Sequence, residues 1–262
     1  MEALLISKIQ NARIDDRENE KGRTGFAKDA PRISRYSLAD NDSSGGVMDY
    51  HLRTIGRDDK ETVLKFLRRF FFRDEPLNQS IGLIPEGEDS TCVELEEYSM
   101  SSIDDNLSLM AVSSSGAIIG VTINGEMEPP KEGEPDYVKN CANPKFKKIL
   151  KLLNHVDAQA NLSKRYPDKR VLEFRIISVD GSWRGRGVAR ALVEKTETMA
   201  KDLGFHILRS DCSSLFSGKL CQRFGFVPVY ELPYARYTDG EGKPIFTPAH
   251  PHAEIVTYVK EL

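Results

Sequence analysis

Arg184, Gly185, Arg186 and Gly187 are the residues of this chain whose types and spacing most clearly invite chemistry. Two glycines let a backbone come close to a ligand, and a helix start just behind them offers unpaired N–H groups to an anion. Two arginines add positive charge. The flanking residues supply the frame. Phe174, Ile176, Ile177 and Val179 form an apolar, branched run that predicts a buried strand. Asp180, Gly181 and Ser182 end it, as short polar residues and glycine do. Val188, Ala189, Leu192, Val193, Thr196 and Met199 then recur at helical spacing up to Gly204, the expected C-terminal cap. Strand, glycine–arginine loop and helix together make a phosphate cradle; an ordinary strand-to-helix turn carrying solubilising arginines is the plainer alternative. A Walker loop requires Lys-Ser/Thr after its last glycine, and Val188 follows Gly187. A dinucleotide fingerprint requires its first glycine directly off the strand and a glycine or alanine where Arg190 stands, although Asp211 on the next strand sits near its expected acidic position.

Composition excludes several classes. The chain has 262 residues and 39% hydrophobic content, enough to bury a core in one large domain or two small ones. A net charge of −3 gives no reason to expect nucleic acid or an anionic membrane as partner. No apolar run approaches the roughly 20 residues that a bilayer demands. The first residues, MEALLISKIQNARIDD, have too short an apolar region and no basic leader for a secretory signal. Four cysteines without a CxxC pair suit reduced thiols and a cytoplasmic location. The five histidines form no HExxH, and His250-Pro251-His252 reads as a proline-rich loop, so no metal is expected.

Residues 1–46, rich in charged residues, Ser and Gly, read as a disordered extension. Order is expected over 47–262, as one domain. Met48 to Ile55 predicts a strand. Asp58 and Glu61 suggest a capping box for a helix carrying Val63, Leu64, Leu67, Phe70 and Phe71. That helix must end near Arg73, because Pro76 disfavours helical geometry at Glu75. A helix over Cys92–Ser99, a hairpin of Leu107–Val112 with Ala117–Gly125, and a helix opened by Asn143-Pro144 follow. After the central strand, loop and helix come a strand at His206–Asp211, a helix to Arg223, and strands at Val227–Leu232 and Glu254–Lys260. The order predicts an α/β (α+β) fold with a single mixed, mostly antiparallel sheet and helices on both faces.

Arg184-x-x-Gly187-x-Ala189 closely resembles the pyrophosphate loop of the GNAT acetyltransferase superfamily. Three further segments, Phe70-Phe71-Phe72-Arg73-Asp74-Glu75-Pro76-Leu77-Asn78, Asn143-Pro144-Lys145-Phe146-Lys147-Lys148-Ile149-Leu150 and Asp211-Cys212-Ser213-Ser214-Leu215-Phe216-Ser217, make residues 47–262 resemble the insect-type arylalkylamine N-acetyltransferases, dopamine N-acetyltransferases among them. The resemblance implies the GNAT fold with a splayed central strand, acetyl-CoA as co-substrate, and a small arylalkylamine (dopamine, serotonin, tyramine or tryptamine) as acceptor, in a monomer. Polyamines, longer acyl-CoA donors, or acyl-CoA binding without turnover are the competing readings.

Amine acetylation sets physical demands. An alkylamine with a pKa near 10.4 is uncharged in only roughly one molecule in 2,500 at pH 7, so a base must collect a proton. The thioester carbonyl needs donors for developing charge, and the leaving thiolate an acid. Glu75 suits the base: Pro76 holds it extended at a helix end, Phe70 to Phe72 precede it, and the resemblance puts the family's base there; Asp74 beside it reads as structural. The resemblance likewise implies Ser213 and Ser217 near the thioester and amine. Lying four apart, they would share a helix face, with Ser213 equally suited to cap that helix and Ser217 to serve as acid or as a hydrogen bond to the CoA sulfur. It further implies that Ile177 and Val179 lend backbone groups to the pantetheine arm, that Arg184, Gly185, Arg186, Gly187, Val188 and Ala189 hold the pyrophosphate, and that Lys219 reaches a CoA phosphate. Trp183 has no assignment, and His206 reads as a strand residue. The paired histidine base of the vertebrate arylalkylamine enzymes has no counterpart.

Overall fold

The central strand Val171–Val179 (β5) is the axis of the structure, a computed structural model that describes residues 34–36, 50–87, 90–128 and 133–262. All of these lie in one unit, Ile33–Leu262. Among the described residues, β5 is joined by Ser34–Tyr36 (β1), Tyr50–Thr54 (β2), Leu109–Ser113 (β3), Ile118–Glu126 (β4), Ile207–Cys212 (β6), Val227–Pro233 (β7) and Glu254–Glu261 (β8). They form one sheet in the order β1-β2-β3-β4-β5-β6-β8-β7. Every neighbouring pair is antiparallel except β5 with β6. This is the expected mixed sheet. Within the segment read as a disordered extension, Ser34–Tyr36 pair with β2 as an edge strand; the rest of residues 1–46 lies outside the described residues.

The parallel pair positions the site. Its register runs only from Val171 opposite Ile207 to Phe174 opposite Ser210. Beyond that point β5 continues against β4 as far as Val179, and β6 continues against β8 as far as Cys212. The two strands therefore part at the middle of the sheet, as the expected splay requires. A register shift between Ile123 and Asn124 bends β5 where the parting begins, a β-bulge increasing local twist.

Helices cover both faces. Lys60–Phe70 (α1), Pro76–Ser80 (α2), Val93–Ser99 (α3) and Pro144–Ala160 (α5) share a core with Val121, Ile123 and Ile176, with the short Asp136–Lys139 (α4) adding Val138. Leu162–Arg165 (α6) leads into β5. On the opposite face Val188–Asp202 (α7) and Leu215–Arg223 (α8) pack over Leu172, Phe174, Leu208 and Val256. Gly120 makes the α7 contact close: a Cβ there would lie 2.9 Å from Val188 Cγ1 and 3.2 Å from Leu192 Cδ1.

Local signals acted largely as read. Asn143 caps α5, accepting from the Lys145 and Phe146 N–H groups at 3.0 and 3.1 Å, with Pro144 at its first position. Gly204, at φ 73°, closes α7 with Phe205 N–H donating to the Ala200 carbonyl. Two details differ. The Asp58–Glu61 capping box does not form; Asp59 instead accepts from the Gly56 N–H at 2.9 Å, because it is fixed there by the Arg53 guanidinium at 2.6 Å. The chain also resumes helix at Pro76, so Glu75 stands at the start of α2 rather than the end of α1.

Candidate active site

One half of the site is the loop between β5 and α7. Asp180 accepts from the Ser182 N–H and hydroxyl, both at 2.8 Å, which closes the single 3-10 turn Gly181–Trp183. The Asp180 N–H in turn donates to the Ile119 carbonyl at 2.9 Å, pinning the turn to β4. Gly185 and Gly187 then adopt φ of 77° and 79°, a left-handed conformation that costs an L side chain about 1–2 kcal/mol. Gly187 is the N-cap of α7, and having no side chain it leaves the opening N–H groups without a side-chain acceptor. Arg184, Gly185 and Arg186 are exposed, and Val188 and Ala189 begin the helix. The loop thus sets backbone donors beside two exposed arginines, at the positive end of a 15-residue helix. Trp183 packs edge-on against Tyr50, ring centroids 6.4 Å apart, and carries the Arg186 guanidinium 5.4 Å above its ring.

The other half gathers at the end of β6. The α1 chain end turns through Phe71 and Phe72, whose N–H groups both donate to the Leu67 carbonyl, and the Glu75 N–H donates to the Phe71 carbonyl at 3.0 Å. Asn78, itself buried, braces this turn with its amide on the Phe72 carbonyl at 2.9 Å. Glu75 caps α2: its Oε2 accepts from the Asn78 N–H at 2.7 Å. The Ser213 hydroxyl and the Leu77 N–H also face the half-buried carboxylate and act on it as hydrogen-bonding groups. Burial pushes its pKa above the ordinary carboxylate range, and those hydrogen bonds partly offset the shift.

Ser213 lies outside α8, one residue beyond β6, and does not share a helical face with Ser217. The cap of α8 is Ser214, whose Oγ accepts from the Ser217 N–H at 3.1 Å. That leaves the Ser213 hydroxyl for Glu75, because the extended backbone at Ser214 turns the two serines to different sides. Ser217 donates to the Ser214 carbonyl at 2.9 Å and lines a small apolar cleft with Ile177, Phe174, Ser210, Cys221 and Phe226. The structure therefore brings Glu75 to Ser213, and Ser217 to Ile177. Val179 lies one pleat further along β5, at the mouth of the loop, and Lys219 is exposed on α8.

Some groups at the site carry no local signature in the sequence. Tyr234, 2% exposed, donates its hydroxyl to the Ser213 carbonyl at 2.7 Å and fixes the end of β6 from 21 residues further along the chain. Its phenol is held protonated by burial first and by the nearby Glu75 charge second. His252 Nδ1 accepts from the Leu215 N–H at 3.2 Å, at the start of α8. His206, exposed, precedes β6 and accepts from the Arg170 N–H, away from this cluster. Asp211, the acidic residue that would serve a dinucleotide ribose, is occupied: it takes the Arg209 guanidinium at 2.8 Å and the Thr257 hydroxyl at 2.7 Å. Arg209, 3% exposed, also pairs with Asp157 and with Glu173 at 3.7 Å. Asp211 is therefore already engaged by protein partners and is not held free for a ribose. No group of three His, Cys, Asp or Glu among the described residues can hold a metal ion.

Residues 85–226 match the Acetyltransferase (GNAT) family. The crystal structure of arylalkylamine N-acetyltransferase 2 from Aedes aegypti is 34% identical, with a TM-score of 0.76 over 81% of this chain and 98% of that one. A mosquito arylalkylamine N-acetyltransferase like 5b is 29% identical, with a TM-score of 0.72 over 81% of this chain and 100% of its own. An agmatine N-acetyltransferase is 25% identical, at a TM-score of 0.71 over 81% and 99%. The glycine–arginine cradle, the parted strands and these similarities agree: the chain belongs to the GNAT family of acetyltransferases.

Proposed function

We propose that this chain transfers an acetyl group from acetyl-CoA to the primary amine of an arylalkylamine, with Glu75 as general base. The observation that carries the reading is the Glu75–Ser213 pair, a half-buried carboxylate with a raised pKa held beside the opening between β5 and β6. Acetyl-CoA supplies the acetyl group as an activated thioester. The cradle fits its pyrophosphate: Arg184 and Arg186 supply charge, Gly185 and Gly187 bring the backbone close, and the first turn of α7 from Val188 and Ala189 presents N–H donors. Ile177 and Val179, without a β6 partner, have backbone groups left for the pantetheine amides, and Lys219 stands on α8 for an outer phosphate.

Glu75 takes the proton from the incoming ammonium, directly or through the Ser213 hydroxyl. Desolvation raises its basicity toward the working pH, which is where a base transfers protons most effectively. Tyr234 positions that pair by anchoring the Ser213 backbone. Ser217, in the apolar cleft on the other side of the opening, offers its hydroxyl to the departing sulfur. The core beside Glu75's flanking phenylalanines is rich in aromatic residues, Tyr98, Phe146, Tyr234, Tyr237 and Phe246 among them, an apolar surrounding in keeping with an aromatic acceptor. The two mosquito arylalkylamine enzymes are also more similar to this chain than the agmatine enzyme is.

An agmatine- or polyamine-type acceptor is favoured by one feature, the carboxylates Asp157, Glu173 and Asp211, but Arg209 and Arg175 already pair with them. We read residues 47–262 as the catalytic unit, acting as a cytoplasmic monomer; no helix among the described residues is long and apolar enough to cross a membrane. The test is thiol release from acetyl-CoA with single amines. Tryptamine or dopamine should drive release well above an amine-free control. Release without dependence on any amine, or binding of acetyl-CoA with no release, would overturn the proposal in favour of a non-catalytic acyl-CoA protein.

A further inference from the structure

Cys212 and Cys221 hold their sulfurs 3.5 Å apart, at the end of β6 and on α8. Both are free thiols. Cys212 is 2% exposed, whereas Cys221 is half-buried and faces the apolar cleft that Ser217 also lines. Ser217 and Cys221 lie four apart on α8 and so share a helical face. Ser217 also stands near enough to act on the Cys212 thiol, so both cysteines neighbour this serine. The other two cysteines differ. Cys92 accepts from the Asn143 amide at 3.5 Å and Cys141 donates to the Asn143 carbonyl at 3.4 Å; both sit by α3 and α5 on the opposite face of the sheet.

We propose that Cys212 and Cys221 are a modification site for hydroperoxides, closing to a disulfide that displaces Ser217 and suppresses turnover. One thiolate attacks hydrogen peroxide, forming an S–O bond as the O–O bond breaks, and hydroxide leaves to become water. The second thiol attacks the sulfenic sulfur, the S–S bond forms, and a second water departs with the thiol proton. Two electrons pass from the sulfurs to the peroxide, so two thiols and one peroxide give one disulfide and two waters. The cleft borders Cys221, whose sulfur lies 3.5 Å from that of Cys212, and is the side from which a peroxide would approach the pair. Hydrogen bonding with Cys221 holds the Cys212 thiol below its ordinary pKa against the effect of burial, whereas the same contact and burial push Cys221 up and burial pushes Cys92 up to about 11, so Cys212 is the thiol that ionises.

Closure draws the sulfurs together by about 1.5 Å, because a disulfide separates them by about 2.05 Å. The shift is taken up between β6 and α8, and the Cys212 thiol that Ser217 contacts is lost. Misplacing a reacting group by about 1 Å can cost about 10²-fold, so turnover should fall at least about tenfold. The activity arm of the test rests on the proposed acetyl transfer; the chemical arm does not.

The experiment treats the full chain with hydrogen peroxide, maps its cysteine peptides by mass spectrometry, and measures amine-dependent thiol release after the oxidant is removed, relative to each variant's own untreated rate. A Cys212–Cys221 peptide lacking two hydrogens, with lost activity restored by dithiothreitol, is expected. The Cys92→Ser/Cys141→Ser variant should behave like the parent, and Cys221→Ser should keep its untreated rate after oxidation. Peptides showing both thiols unlinked after oxidation would overturn the site, even in an inactive preparation. The disulfide formed with unchanged turnover, or equal inactivation of Cys221→Ser, would overturn the link to Ser217.

Discussion

Replacing Glu75 with Gln separates catalysis from stability. The Gln side-chain oxygen can still accept from the Asn78 N–H, now at 2.7 Å, so α2 keeps its cap and the turn braced by Asn78 survives. What disappears is basicity. A positioned base contributes about 10²–10⁴ in rate, or about 2.7–5.4 kcal/mol at 1.36 kcal/mol per decade, and turnover should fall by that factor while acetyl-CoA affinity is unchanged. The acidic limb of kcat/KM should lie above the usual glutamate range in the parent and vanish in the variant, since burial raises the Glu75 pKa. With a less basic amine, a limb due to Glu75 stays in place, whereas one due to the substrate follows the amine. Stability should move the opposite way. The native chain binds more protons than the unfolded one between the two pKa values, so Glu75's contribution is full at low pH and is lost as pH rises through its raised native value. Above that pH Glu75→Gln should melt higher than the parent, because a buried charge has been removed. Near-normal turnover with an unchanged pH profile would refute the reasoning, and so would a variant less stable than the parent at pH 8.

Gly187→Asp puts a side chain and a negative charge into a left-handed position at the start of α7; acetyl-CoA affinity measured by calorimetry should fall by well over a hundredfold, as two or three charge-assisted hydrogen bonds of about 1.5–3 kcal/mol each are lost. Gly120→Ala forces a methyl group to 2.9 Å from Val188 and 3.3 Å from the Ser178 carbonyl, so it should destabilise by about 1–3 kcal/mol, seen as a lower Tm. The same displacement of α7 moves the cradle, and acetyl-CoA should bind Gly120→Ala more weakly in the same titration.

Where a local physical rule decided the outcome, the sequence was readable. Asn143-Pro144 opens one helix and Gly204 closes another where capping requires, and the branched run of β5 followed by two glycines marks the strand, the loop and the helix start behind it. The parting of β5 and β6 was legible only through family likeness, because it arises from where two strands stop pairing. Ser213 and Ser214 show the limit of spacing: either serine suits a cap, and the backbone at Ser214 decides which hydroxyl is left for Glu75. Tyr234 and Arg209 could not be found locally. Each acts on a partner distant in the chain, Tyr234 on Ser213 and Arg209 on Asp157, and no periodicity encodes such a contact. Glu75 reads as the end of one helix and stands at the start of the next, since Pro76 stops one helix and starts another equally well.

A competition between acceptors tests the central claim most directly. Acetyl-CoA is supplied in excess with equimolar tryptamine, dopamine, agmatine and spermidine, and the N-acetylated products are quantified together by mass spectrometry at early times. Product ratios then equal the ratios of kcat/KM, which is the quantity an enzyme's specificity consists of. Acetylated tryptamine or dopamine should dominate by tenfold or more, and all products should fall together in Glu75→Gln. Acetylagmatine or acetylspermidine as the main product would contradict the aromatic acceptor, and undiminished products from Glu75→Gln would contradict the base.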